Sequence, residues 1–128
     1  MKNQPFHRRV GFALNGWRQG WRRERSFRTQ IGLGGVGLLA LVMLRPAPIW
    51  WAAMALTIGA VLALELVNAA VEAVIDRLHP EEHPEIGAAK DMAAGAVLIA
   101  SLGALIVGMA MMVEYAPQRL VQWGVIGR

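Results

Sequence analysis

The chain has 128 residues, 55% of them hydrophobic, and a mean hydropathy of +0.40, a balance that excludes an ordinary soluble domain and points to the membrane. It holds no cysteine, which excludes a disulfide scaffold, a Cys-ligated zinc or iron–sulfur centre and a thiol nucleophile. Its net charge of +4 is uneven: residues 1–28 carry eight Lys and Arg, Lys2 among them, against Glu24 alone, whereas residues 29–128 carry five against eight acids.

Residues 6–28 place Phe6, Val10, Leu14, Trp17, Trp21 and Phe27 mostly three or four apart, with arginines between them. That spacing predicts an amphipathic surface helix, its aromatics turned into the headgroup region and its arginines toward anionic phospholipid. Aromatics among arginines, with a pI near 10.7, also suit a nucleic-acid patch. The adjoining apolar spans make lipid the nearer partner and argue against nucleic acid. No h-region precedes the first span, so no cleavable signal peptide is expected. The basic head places the N-terminus in the cytoplasm and, with three crossings, the C-terminus outside.

Three runs free of Asp, Glu, Lys and Arg follow, Thr29–Leu44, Ala47–Leu64 and Met92–Val113. Each approaches or reaches the roughly 20 residues needed to span a bilayer as a helix. The first membrane helix, 29–44, ends at Arg45-Pro46-Ala47-Pro48, where two prolines stop one helix and open the next. Trp50 and Trp51 then mark an interface. Residues 49–78 contain no proline, so one long helix is expected to carry its charged end out of the membrane. Ala55, Gly59 and Ala63 on this helix are small residues at the spacing that permits close helix approach. A polar connection, 79–89, leads to a third membrane helix, 90–114, and a tail, 115–128.

Glu65, Asn68, Glu72 and Asp76 share one helical face, their offsets returning to about 300°, 340° and 20°. Crowded carboxylates repel one another and are tolerated beside cations, protons or basic partners. Mg²⁺ carrying phosphates would satisfy such a stripe. Glu72 and Asp76 fit equally well a solvated helix end paired with Arg77 or the basic head. Glu65, between Leu64 and Leu66 near the hydrocarbon edge, is a functional candidate because an ionisable group there is costly. Lys90 and Asp91 read either as an interfacial anchor or as a phosphate-binding pair. The chain has no G-x-x-x-x-G-K-[ST] loop. His79 and His83 stand four apart, but Pro80 and Pro84 disfavour the single helical face a zinc site would need.

The wording Glu65-Leu66-Val67-Asn68-Ala69-Ala70-Val71-Glu72 with Asp76, and then Ala89-Lys90-Asp91-Met92-Ala93-Ala94-Gly95-Ala96-Val97, resembles the prokaryotic diacylglycerol kinase family. These are small integral membrane lipid kinases that include undecaprenol kinases. A weaker likeness runs from Asn15-Gly16-Trp17-Arg18 through Glu24, Phe27 and Arg28. The resemblance implies an all-α integral membrane protein, a surface helix plus three transmembrane helices per chain, assembled as a homotrimeric helical bundle with active sites shared between chains. It implies Glu65 as the general base toward the lipid hydroxyl and Glu24 with Glu72 as ligands of Mg²⁺ on ATP, with Asn68 and Asp76 beside them. Glu81, Glu82, His83, Lys90 and Asp91 match nucleotide-contacting positions. Phe12 stands where some diacylglycerol kinases have a nucleotide-contacting Tyr, and Gln30 replaces an acid. The Ala13-Leu14-Asn15-Gly16 and Ala93-Ala94-Gly95-Ala96-Val97-Leu98 segments lean toward the undecaprenol kinase branch.

The expected activity is ATP-dependent phosphorylation of a membrane lipid alcohol at the cytoplasmic face of a bacterial inner membrane, with diacylglycerol leading and undecaprenol next. Two other classes stand beside it. A small proton-coupled transporter also uses a membrane Glu, and a non-catalytic membrane subunit would tolerate Glu65→Gln.

Overall fold

The computed structural model describes residues 4–127; Lys2 of the basic head and Arg128 of the tail lie outside the described residues. The described residues form four helices and no strand: α1 (Phe6–Arg23), α2 (Arg25–Leu44), α3 (Pro48–Leu78) and α4 (Pro84–Gln122). The last three are long and apolar enough to cross a membrane. At 1.5 Å per residue they measure roughly 30, 46 and 58 Å, so α3 and α4 exceed a hydrocarbon layer of about 30 Å by several turns.

The segment expected as one surface helix over 6–28 breaks at Glu24, whose backbone is extended (φ −105°, ψ 114°). An extended residue ends one helix and starts another, and here both sides are closed by hydrogen bonds. The Glu24 N–H donates to Gly20 O at 2.9 Å, and the Arg28 guanidinium donates to Trp21 O at 3.0 Å. Arg25–Arg28 therefore belong to α2. Gly20 permits the joint to sit tightly, since a side chain there would collide with Leu66 of α3 and with buried Phe27.

At the opposite end of α2, Arg45 takes a left-handed conformation (φ 48°) and its N–H caps Leu41 O, after which Pro48 opens α3. The stop and restart expected at the prolines are present, and they fold α2 and α3 into a hairpin. It is drawn close by Gly34 and Gly37 of α2, where a Cβ would press on Ile58 and Met54. The Ala55, Gly59, Ala63 face is not used within the chain: Ala55 and Ala63 are exposed and nothing packs on Gly59. The α2 glycines make that approach because they face α3 directly.

The helix expected to begin at 90 begins at Pro84, inside the segment expected as connection 79–89. The His83 Nδ1 accepts from the Glu85 N–H at 3.2 Å and so supplies the N-cap, while Pro84 takes the first position, where its missing N–H costs nothing. At its other end α4 runs through Pro117 to Gln122, so most of the expected tail 115–128 is helical. Two ties hold this extension. Arg119 Nε donates to Leu44 O at 2.7 Å, and the Tyr115 hydroxyl accepts from the Ala47 N–H at 3.3 Å.

Leu41, Leu44, Met54 and Met111 form the buried core at the proline-turn end, with Trp50, Ile58, Val107 and Tyr115 against it. Elsewhere the apolar flanks are open, with Leu33, Val36, Leu98, Ile99 and Ile106 mostly exposed, as surfaces destined for lipid or other helices are.

Candidate active site

The polar end of the bundle gathers the α1–α2 joint, the second half of α3 and the start of α4. Glu65 is the one buried charged residue among the described residues, 5% exposed. Its Oε2 accepts a 2.8 Å hydrogen bond from Ser26 Oγ in the first turn of α2. The neighbouring contact of Gly20 with Leu66 brings the Glu24 joint to the same stretch of α3. Glu24 itself is half-buried, and its carboxylate has no hydrogen bond among the described residues.

One turn further along α3, Asn68 Nδ2 donates to Glu72 Oε1 at 3.2 Å. Asn68 Oδ1 is buried without a partner. A buried acceptor left unpaired is costly, of order 1–3 kcal/mol, and one beside a carboxylate invites a cation or a donor from outside. Another turn on, Lys90 Nζ forms an ion pair with Asp76 Oδ1 at 2.5 Å, joining α3 to α4. Next to that pair opens a pocket of about 600 Å³ lined by Asp76, His79, Glu81, Glu82, His83 and Lys90.

The stripe read from the sequence is therefore a single wall, from enclosed Glu65 through Asn68 and Glu72 to exposed Asp76. The structure brings Glu81, Glu82, His83 and Lys90 together with Asp76 around the pocket. It does not bring Phe12 or Asp91 there: Phe12 sits mid-way along α1, half exposed, and Asp91 is exposed outside the lining. Among the described residues no three His, Asp or Glu side chains converge as a metal cluster within this one chain. The donors offered by Asn68 and Glu72 are hard oxygens of the kind Mg²⁺ takes, so the residues present fit that ion.

Sequence reasoning missed four contacts here and beyond. Ser26 carries no motif, and its partner lies 39 residues away. Gln30, noted only as a departure, donates from Nε2 to Ser101 Oγ at 3.3 Å, linking α2 to α4. Arg119 and Tyr115 fall in what read as tail.

A family model described as prokaryotic diacylglycerol kinase matches residues 11–112. Among curated proteins the chain is 36% identical over 104 residues to a diacylglycerol kinase of Escherichia coli K12, covering 76% of this chain and 80% of that protein. It is 34% identical over 88 residues to an undecaprenol kinase of Bacillus subtilis 168, covering 69% and 72%. It is 38% identical over 98 residues to a diacylglycerol kinase of a Synechocystis species, covering 76% and 56%. The transporter and non-catalytic subunit alternatives fall with these matches. The three apolar helices are those of a multi-pass membrane protein, and the chain belongs to the prokaryotic diacylglycerol kinase family of lipid kinases.

Proposed function

We propose that this lipid kinase transfers the γ-phosphate of ATP to diacylglycerol, giving phosphatidic acid, with Glu65 as general base. The observation that carries the reading is Glu65 itself, a buried carboxylate with one oxygen held by Ser26. A base there takes the proton of a lipid hydroxyl while the acyl chains stay in the hydrocarbon. The pocket at Asp76, Glu81, Glu82, His83 and Lys90 receives the nucleotide, with Lys90 held by Asp76 toward phosphate. Glu72 and Asn68 Oδ1, with Glu24 brought to the same wall, would hold Mg²⁺. The chemistry supplied there by the ion, when bound, is neutralisation of phosphate charge.

The homotrimer expected from the resemblance accounts for two features at once. Among the described residues the carboxylate donors do not close into a full set within one chain, and the apolar flanks are open to neighbouring helices. The basic head orients the polar end to the cytoplasm, at the inner membrane, with α1 lying on anionic phospholipid. Undecaprenol is the second acceptor, favoured by the likeness to the Bacillus subtilis protein of that name.

Transfer from labelled ATP with Mg²⁺ to a mixture of diacylglycerol and undecaprenol in mixed micelles tests the reading. Diacylglycerol is expected to be labelled by the wild type, and Glu65→Gln to lose about 10²- to 10⁴-fold in rate while keeping its helical circular dichroism. Labelling of undecaprenol alone overturns the acceptor, and full activity in Glu65→Gln overturns the base.

A further inference from the structure

We propose that Ser26 is a positioning residue for Glu65, fixing one carboxylate oxygen so that the other is presented for proton transfer. The inference rests on the reading of Glu65 as base. Ser26 Oγ donates to Oε2 at 2.8 Å, and Oε1 has no hydrogen bond among the described residues. A hydroxyl in a helix ordinarily bonds back to its own preceding turn, as Thr29 Oγ1 does to Arg25 O at 3.1 Å three residues on. Ser26 instead reaches across to α3.

The break at Glu24 makes that reach available, because it starts α2 one residue before Ser26 and sets the first turn of α2 against Glu65. Gly20 sits at the same joint against both Leu66 and Phe27. The serine thus ties the joint that carries Glu24 to the acid that meets the acceptor. A free carboxylate rotates about its last bond between several orientations. One charge-assisted hydrogen bond removes most of that freedom. Its loss leaves the base present and badly aimed, which lowers the rate of the chemical step and not the affinity for either substrate.

Thr and Val have the same shape and differ only in the hydroxyl, so they separate bonding from packing at position 26. Steady-state kcat and KM for Mg-ATP and for diacylglycerol would be measured on full-length wild type, Ser26→Thr, Ser26→Val, Ser26→Ala and Glu65→Gln. Ser26→Val and Ser26→Ala are expected to lose about tenfold in kcat with both KM values within twofold, and Ser26→Thr to stay within about threefold of wild type. Adding Ser26→Val to Glu65→Gln is expected to cost nothing further, because the partner is already gone. Equal kcat in Ser26→Val and Ser26→Thr, with Glu65→Gln inactive, overturns the role of Ser26 alone. Wild-type turnover in Glu65→Gln overturns the base and, with it, the positioning. Should Ser26→Val not be recovered folded, Ser26→Ala against Ser26→Thr gives the same decision.

Discussion

At the proline turn, Leu41, Leu44, Met54 and Met111 close on one another, and the carbonyls at the end of α2 are taken up by Arg119. At the polar end, beside buried Phe27, the enclosed polar groups are a carboxylate and an amide, and the amide oxygen has no partner among the described residues. The first end is packed to completion. The second is held short of it, with Asn68 Oδ1 left unpaired among the described residues. On the proposed reading, stability and chemistry sit at opposite ends of the same α3 and α4 helices. The matched family region stops at residue 112, just after Met111, so the ties of Tyr115 and Arg119 lie beyond it.

The division predicts that substitutions at the proline turn change unfolding and leave turnover per folded molecule alone. Met111→Ala has the largest expected effect. Met111 is 1% exposed, and lipid offers no hydrophobic drive between helices, so the cost comes from lost packing contacts and a residual cavity, about 1–3 kcal/mol. Detergent-titrated unfolding in mixed micelles would show it, with kcat unchanged. A loss of kcat at full folding would break the comparison, since it would mean that the two ends are coupled.

Arg119→Met is expected to cost less, about 1 kcal/mol in the same unfolding experiment. It keeps much of the side chain's length while removing donors to Leu44 O and Arg45 O at a partly exposed turn, where water replaces part of what is lost. Proteolysis should then reach the end of α4 sooner than in the wild type, because Pro117 already leaves that stretch short of one backbone hydrogen bond.

How much of this division could be read from residues alone depends on the range of each interaction. The spans and the hairpin were legible because charge-free runs and prolines act locally. The Glu65, Asn68, Glu72, Asp76 wall was legible because helical periodicity carries a face across three turns. The break at Glu24 was not, since no glycine or proline marks it and it is held by the Arg28 guanidinium and the fit of Gly20 on Leu66. The extension of α4 was hidden for the complementary reason: Pro117 signals an end that contacts with a turn some 70 residues earlier override. Ser26 shows the limit most plainly, because a serine two residues after an acid has many ordinary explanations and its partner is supplied by another helix.

Asn68→Leu gives the smallest change in stability and the sharpest view of the comparison. Leucine nearly matches the amide in shape, removes the unpartnered Oδ1 and also removes the donor to Glu72. Losing a buried orphan is favourable and losing one side-chain hydrogen bond is unfavourable, each by about 1 kcal/mol, so unfolding should shift by less than about 1 kcal/mol in either direction. Activity has no such compensation. If Oδ1 is kept free for the ion on ATP, turnover at fixed Mg²⁺ falls at least tenfold and the Mg²⁺ concentration for half-maximal rate rises. A variant that is clearly stabilised and loses activity would show that the polar end gives up folding free energy to keep an acceptor open. A variant with full activity and unchanged Mg²⁺ dependence would remove Asn68 from the site and leave its empty lone pair without a purpose.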